Sequence, residues 1–184
     1  VAGRNDMPEG DNVEYVLPHG LCATAPLREW WRCVGVKSEL RQRGVDLFHG
    51  LSNELPFGID RVCPSVVTIH DLIFMHYPQA YDAVQRRILE YKTRRACREA
   101  TRIIAISEAT RRDIVKLYGV DESRIDLVYQ GCNNVFRQPV TQEAKEEVRR
   151  RYNLPERYII AVGTLEWRKN QEAVVRLLPY IKRE

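Results

Sequence analysis

The stretch SVVTIHDLIFMHYP (residues 65–78) opens as a β-branched run, Val66 to Ile69, and ends that run abruptly on His70 and Asp71. A short, continuous apolar segment without strict alternation suits a strand covered on both faces, as in a parallel sheet. An ionisable pair at its last residues serves no packing purpose. It suits a strand whose carboxyl end opens on a cleft.

Similar runs recur on either side. VEYVL (13–17), VDLFHG (45–50), RIIAIS (102–107), RIDLVYQG (124–131) and YIIAVG (158–163) all read as short buried strands. Helical patterns lie between most of them. LREWWRCVGVKSELRQR (27–43) runs to Gly44, and the segment 81–100 puts Leu89, Thr93, Ala96, Cys97 and Ala100 on one face. SEATRRDIVKLYG (107–119) has Ser107 as its N-cap and Gly119 as its stop. TQEAKEEVRRRYN (141–153) is capped by Thr141, with acidic residues early and basic ones late. Strand and helix in alternation predict a layered α/β fold with a parallel sheet and right-handed crossovers. A hinge at Pro155–Arg157 divides an expected domain over 1–155 from a second one beginning at 156.

Ligands of open parallel sheets bind beyond the carboxyl ends of the strands. Those ends carry His49 and Gly50, His70 and Asp71, Ser107, then QGCNN (130–134) and GTLEWRKN (163–170). His70 is the leading candidate for chemistry, with Asp71 either orienting it or capping the next turn. His49 and His76 read slightly better as structural imidazoles. In GTLEWRKN a glycine closes a strand, and Arg168, Lys169 and Asn170 open a helix. Backbone N–H groups and two cations there would suit a phosphate, although a solvated first turn has the same spacing.

Composition narrows the classes. No apolar run approaches the ~20 residues needed to span a bilayer, and no basic leader with an apolar core is visible. Five cysteines, Cys22, Cys33, Cys63, Cys97 and Cys132, are odd in number and lack zinc-site spacing, so free thiols in a reducing cytosol are expected. A metal phosphohydrolase built on the His70–Asp71 pair is a weak reading, because four histidines leave few further ligands. The net charge of +4 is uneven: residues 86–116 hold ten Lys/Arg against four Asp/Glu. A solvated helix face is the plain reading of that segment, a membrane-surface patch the next. Nucleic-acid binding comes last, for want of an aromatic platform or recognition motif.

FHGLSNELPFG, VVTIHDLIF, RIIAISEATRRDIVKLYGVDESRIDLVYQGCNNVF and YIIAVGTLEWRKN, in that order over residues 45–175, resemble glycosyltransferase family 4, retaining enzymes of the GT-B fold. The likeness is strongest to bacterial members that build cell-surface polysaccharides, often by mannosyl or other hexosyl transfer. It implies that 1–155 is a Rossmann-like acceptor domain, truncated at both ends, and that 156–184 begins the nucleotide-sugar-binding domain. The glycine-rich loop would precede Val1 and the paired glutamates that grip the donor would follow Glu184. A chain so divided is expected to be inactive alone. His70 would face the transferred sugar. Ser107, Gly131, Asn133, Asn134 and His49 would line the acceptor cleft. Gly163, Arg168 and Lys169 would meet the donor diphosphate, with Thr164 standing where the family often has arginine.

The resemblance further implies no metal and no cofactor, a nucleotide-sugar substrate, and a glycan or lipid-linked acceptor. It places the protein in the cytoplasm, with residues 86–116 able to touch the inner face of the membrane. The competing reading is a non-catalytic Rossmann-like module that holds a small anionic ligand.

Overall fold

The computed structural model describes residues 12–18 and 20–181. The polar opening at 1–11 and the last three residues, on which part of the reading of the chain ends rested, lie outside them. Four strands form one sheet: β1 (Phe48–Gly50), β2 (Ser65–Ile69), β3 (Arg102–Ala105) and β4 (Ile125–Leu127). They lie side by side in chain order, and every pair is parallel. Val67 stands opposite Gly50 on one side and Ile103 on the other, and Ile103 opposite Ile125. Ser65, Val67, Thr68 and Ile69 are all buried, as a strand in the middle of a covered parallel sheet requires.

The helices are α1 (Ala25–Trp30), α2 (Val36–Gln42), α3 (Ile73–His76), α4 (Ala83–Glu99), α5 (Glu108–Tyr118), α6 (Gln142–Arg151) and α7 (Gln171–Ile181). β2 reaches β3 through α3 and α4, and α5 joins β3 to β4. The face expected for α4 is the one it buries, through Thr93, Ala96 and Cys97, with Leu89 partly covered. Asp82 caps α4 by accepting from the N–H groups of Val84 and Gln85. At its other end Arg124 donates to the carbonyls of Cys97, Arg98 and Ala100, which have no helical partner of their own. Ser107 caps α5 as predicted, accepting from Thr110 N–H at 3.1 Å, and Gly119 ends it at φ +65°. Thr141 caps α6.

Three expectations are corrected. Residues 13–17 and 158–163 form no strand; Val13, Tyr15, Ile160 and Val162 are exposed instead. A strand needs a neighbouring edge to satisfy its backbone, and among the described residues neither segment pairs with the sheet. The other strands are shorter than their apolar runs. The helix expected over 27–43 is broken by a π-helical turn at Trp31–Gly35 between α1 and α2. Trp31 is partly buried there while Trp30 stays exposed.

Candidate functional site at the strand ends

β1 ends opposite Val67, two residues before β2 does, and the chain beyond each is tied to the other. Asn53, in the turn after β1, adopts the left-handed conformation at φ 55°. Its N–H reaches the carbonyl of Thr68 at 2.9 Å. Its side chain accepts from His70 N–H at 2.8 Å and donates to the Asp71 carbonyl at 3.1 Å. From the other side Thr110 Oγ1 donates to the His70 carbonyl at 3.0 Å. Since that hydroxyl proton is used, Ser107 O–H is the donor across the 2.9 Å contact to Thr110 Oγ1. Three strand ends therefore fix the backbone of His70.

The ring of His70 is fixed as well. Its Nε2 lies 2.8 Å from the carbonyl oxygen of Leu51. A carbonyl only accepts, so Nε2 carries the proton and neutral His70 has its lone pair on Nδ1. The only group at Nδ1 among the described residues is the amide of Gln130, at a long 3.4 Å. A half-buried imidazole with one nitrogen anchored and the other held loosely is a hydrogen-bond acceptor of fixed direction.

Asp71 does not touch the imidazole. Its Oδ1 caps the turn into α3 by accepting from Ile73 N–H at 3.1 Å, the capping alternative weighed from sequence. His49 bonds through Nε2 to Thr68 Oγ1 at 2.9 Å, and His76 Nε2 pairs with Asp113 at 2.7 Å between α3 and α5. Each imidazole thus has a side-chain partner, and His49 also lines a groove beside this cluster. Beyond β4, Gly131, Asn133 and Asn134 lie on an exposed segment, where Asn133 caps a short 3₁₀ turn through Val135 N–H.

A groove of about 340 Å³ opens beside this cluster, walled by Trp31, Val36, Phe48, His49, Leu51 and Leu55. Leu51 belongs to both, since its carbonyl anchors His70. Charged side chains brace the same region. Glu54 bridges Arg32 of the π-helical turn and Lys92 of α4, and Lys92 also meets Glu29 at 2.5 Å. Burial alone would depress the Lys92 ammonium, but its hydrogen bonds to Glu29 and Glu54 outweigh that and hold it above its ordinary value. The π-helical turn itself leaves the Cys33 carbonyl free for Phe57 N–H, at 2.7 Å.

The three residues expected at a diphosphate lie in and before the turn that leads to α7. Arg168 pairs with Glu166 at 2.7 Å, the Gly163 carbonyl accepts from Gln171 at 3.3 Å, and Lys169 is exposed in the turn Trp167–Lys169 ahead of α7. Among the described residues no hydrogen bond or ion pair joins them to the His70 cluster. Among the described residues no three His, Cys, Asp or Glu side chains converge as a metal site, and no helix is long and apolar enough to cross a membrane.

The model of Glycosyltransferase Family 4 matches residues 1–134, which contain all four strands and the whole His70 cluster. The chain belongs to this family. Over 158 residues, 84% of its length, it is 26% identical to the O-antigen chain mannosyltransferase B of Escherichia coli, and it spans 39% of that protein. The four parallel strands with flanking helices agree with the Rossmann-like half of a GT-B fold.

Within that family fold, sequence reasoning found His70 but missed what holds it. Asn53 sits three residues past a strand end, where an asparagine is a fair sign of a left-handed turn. Gln130 was within a quoted motif without being singled out. The Leu51 carbonyl carries no sequence signal.

Proposed function

We propose that the protein is the acceptor-side part of a retaining glycosyltransferase that moves a hexose, mannose or a close relative, from a nucleotide-sugar to a glycan or lipid-linked acceptor. In that reaction the bond from the anomeric carbon to the diphosphate oxygen breaks. A bond to an acceptor hydroxyl forms on the same face, and the hydroxyl proton leaves with the diphosphate. The observation that carries the reading is the state of His70. Its ring is locked by Leu51 and its backbone by Asn53 and Thr110, while Nδ1 has only the long contact to the Gln130 amide among the described residues. A sugar hydroxyl that displaces the Gln130 amide would donate to Nδ1 and hold the transferred ring in place.

The groove beside Leu51 takes the acceptor in this reading, with Ser107, Gly131, Asn133, Asn134 and His49 around the cleft. Asp71 acts mainly through the turn it caps. Lys169, exposed and without a carboxylate partner among the described residues, is the cation best placed to neutralise a leaving diphosphate. Arg168 would first have to leave Glu166, and Gly163 lets backbone approach the phosphates. No metal and no cofactor are required. The work is done in the cytoplasm, and residues 86–116 provide contact with the inner membrane face. Because Lys169 and its neighbours are not joined to the His70 cluster, residues 1–184 alone are expected to lack transfer.

The test uses the longer protein of which these residues are part, with and without His70→Ala, and follows nucleoside diphosphate release from a panel of nucleotide-sugars. Release from one donor that falls at least about 100-fold in the variant supports the reading. Release that survives keeps the transferase and returns His70 to a structural role. No release with any donor and acceptor favours the anion-binding module.

A further inference from the structure

At the other end of the sheet from His70, three segments that feed the amino ends of β1, β2 and β3 enclose a basin of about 730 Å³. Its lining includes Lys37 and Arg41 of α2, Arg61 of the turn before β2, and Arg95 and Arg98 of the last turns of α4. Two carboxylates, Asp60 and Glu99, share the lining. Glu99 is already committed, for it takes both ends of the Arg95 fork and accepts from Gly58 N–H at 3.0 Å. Arg95 in turn lies over the ring of Phe57, 4.0 Å from its centre, and forms a wall rather than a ligand. Lys37, Arg41, Arg61 and Arg98 have no carboxylate partner among the described residues. The Lys37 ammonium sits over the left-handed Gly58 turn, 3.8 Å from where a side chain there would begin.

Four cations without a carboxylate partner share one concavity, and like charges gathered on one surface repel each other. Arg41 and Arg98 lie in last turns and offset their helix dipoles. Lys37 is the second residue of α2 and Arg61 stands on a three-residue turn, so that account does not reach them. In the wider basic segment Lys92, Arg94, Arg95, Arg102 and Arg111 each meet a carboxylate. The basin is where cations without such a partner, from three separate segments, share one concavity.

We infer that the basin at the amino edge, formed by Lys37, Arg41, Arg61 and Arg98, binds a ligand carrying clustered phosphates. Guanidinium forks pair with two oxygens at a time, and a phosphate presents three to forks arriving from different directions. Cations from three separate segments suit such an anion better than a single planar carboxylate. The site is independent of the transfer reading and stands or falls apart from it.

The test titrates the 184-residue chain with inorganic pyrophosphate by calorimetry, and separately with vesicles of phosphatidylcholine with or without phosphatidylglycerol. Arg41→Gln/Arg61→Gln/Arg98→Gln is compared with Lys145→Gln/Arg150→Gln/Arg151→Gln, an equal charge loss on α6, outside the basin and outside residues 86–116. The basin variant is expected to bind at least about tenfold more weakly, the control within about threefold, and Asp60→Asn to bind more tightly. Pyrophosphate binding assigns a soluble phosphorylated ligand. Binding only to phosphatidylglycerol vesicles assigns a lipid headgroup. Equal weakening in both triple variants, or no binding to either probe, overturns the site.

Discussion

The imidazole of His70 gives its Nε2 proton to the carbonyl oxygen of Leu51, 2.8 Å away, so the loops after β1 and β2 hold each other through a side chain. Losing that bond removes a tie to the exposed Leu51, whose carbonyl can then turn to water, at a net cost of about 0.5–1 kcal/mol. His70→Ala is therefore expected to lower the denaturant midpoint modestly. His70→Gln, whose amide nitrogen reaches nearly as far as Nε2, should recover most of the loss. If the two variants are equally stable, the anchor contributes nothing and the ring is held by other means.

Asn53 does more for the site than its exposure suggests. Its side chain closes two hydrogen bonds to the His70–Asp71 backbone, and its φ of 55° disfavours most side chains. Asn53→Ala should cost about 2–3 kcal/mol, adding the lost bonds to the left-handed penalty. Asn53→Gly loses the same bonds without that penalty and should be about 1 kcal/mol more stable than the alanine variant. Equilibrium denaturation of the pair separates the two contributions.

Gly50 is needed for space, not for conformation. A Cβ there would collide with the Glu54 carbonyl oxygen and stand 2.8 Å from Leu55 Cδ2. Both groups belong to the loop that walls the groove. Gly50→Ala should cost about 1–3 kcal/mol, as overpacking does, and should displace the groove wall. An alanine variant of unchanged stability would mean that the loop yields freely.

The thiols should divide by burial. Cys97 is fully buried, and desolvation pushes it up to about 12 despite nearby Arg124. At pH 8 its thiolate fraction is about 10⁻⁴. Cys63 is buried too and raised by the same cause, whereas Cys132 is exposed. A disulfide reagent at pH 8 should modify Cys132 at the rate of a free thiol. Cys63 and Cys97 should react only on unfolding. Rapid labelling of Cys97 in the native protein would refute its place on the buried face of α4.

What the sequence revealed of this fold depended on whether a signal was local. β2, α4 and α5 were legible because burial on both faces, an apolar stripe and the Ser107 and Gly119 caps are all written within one segment. Residues 13–17 and 158–163 have the same strand-like composition, yet pairing depends on a neighbour that composition does not encode. The π-helical turn was equally hidden, since its extra residue per turn is settled by packing around Trp31 and Cys33. At the site, His70 stood out as a charge-bearing residue ending an apolar run. Its anchor is a main-chain carbonyl, and every residue has one.

The brace between α4 and the turn at Trp31 should show in the pH dependence of stability. The hydrogen bond from Lys92 holds the Glu29 carboxyl below its usual 4.5. A depressed carboxyl contributes stability above its unfolded value and loses it as pH falls through the folded one. The Lys92 ammonium is raised above 10.5, so its share is intact below that value and fades only as pH climbs through the folded one. Between about pH 5 and pH 10 the brace should thus be constant. Glu29 is about half exposed, so Glu29→Gln should cost only about 0.5–1 kcal/mol at pH 7. Lys92→Met, which leaves both Glu29 and Glu54 without the ammonium, should cost about 1–2 kcal/mol. Denaturation at pH 7 and pH 3 checks the sign: the gap between wild type and Glu29→Gln should close toward acid. A gap that persists at pH 3 would mean that Glu29 acts by packing and not by charge.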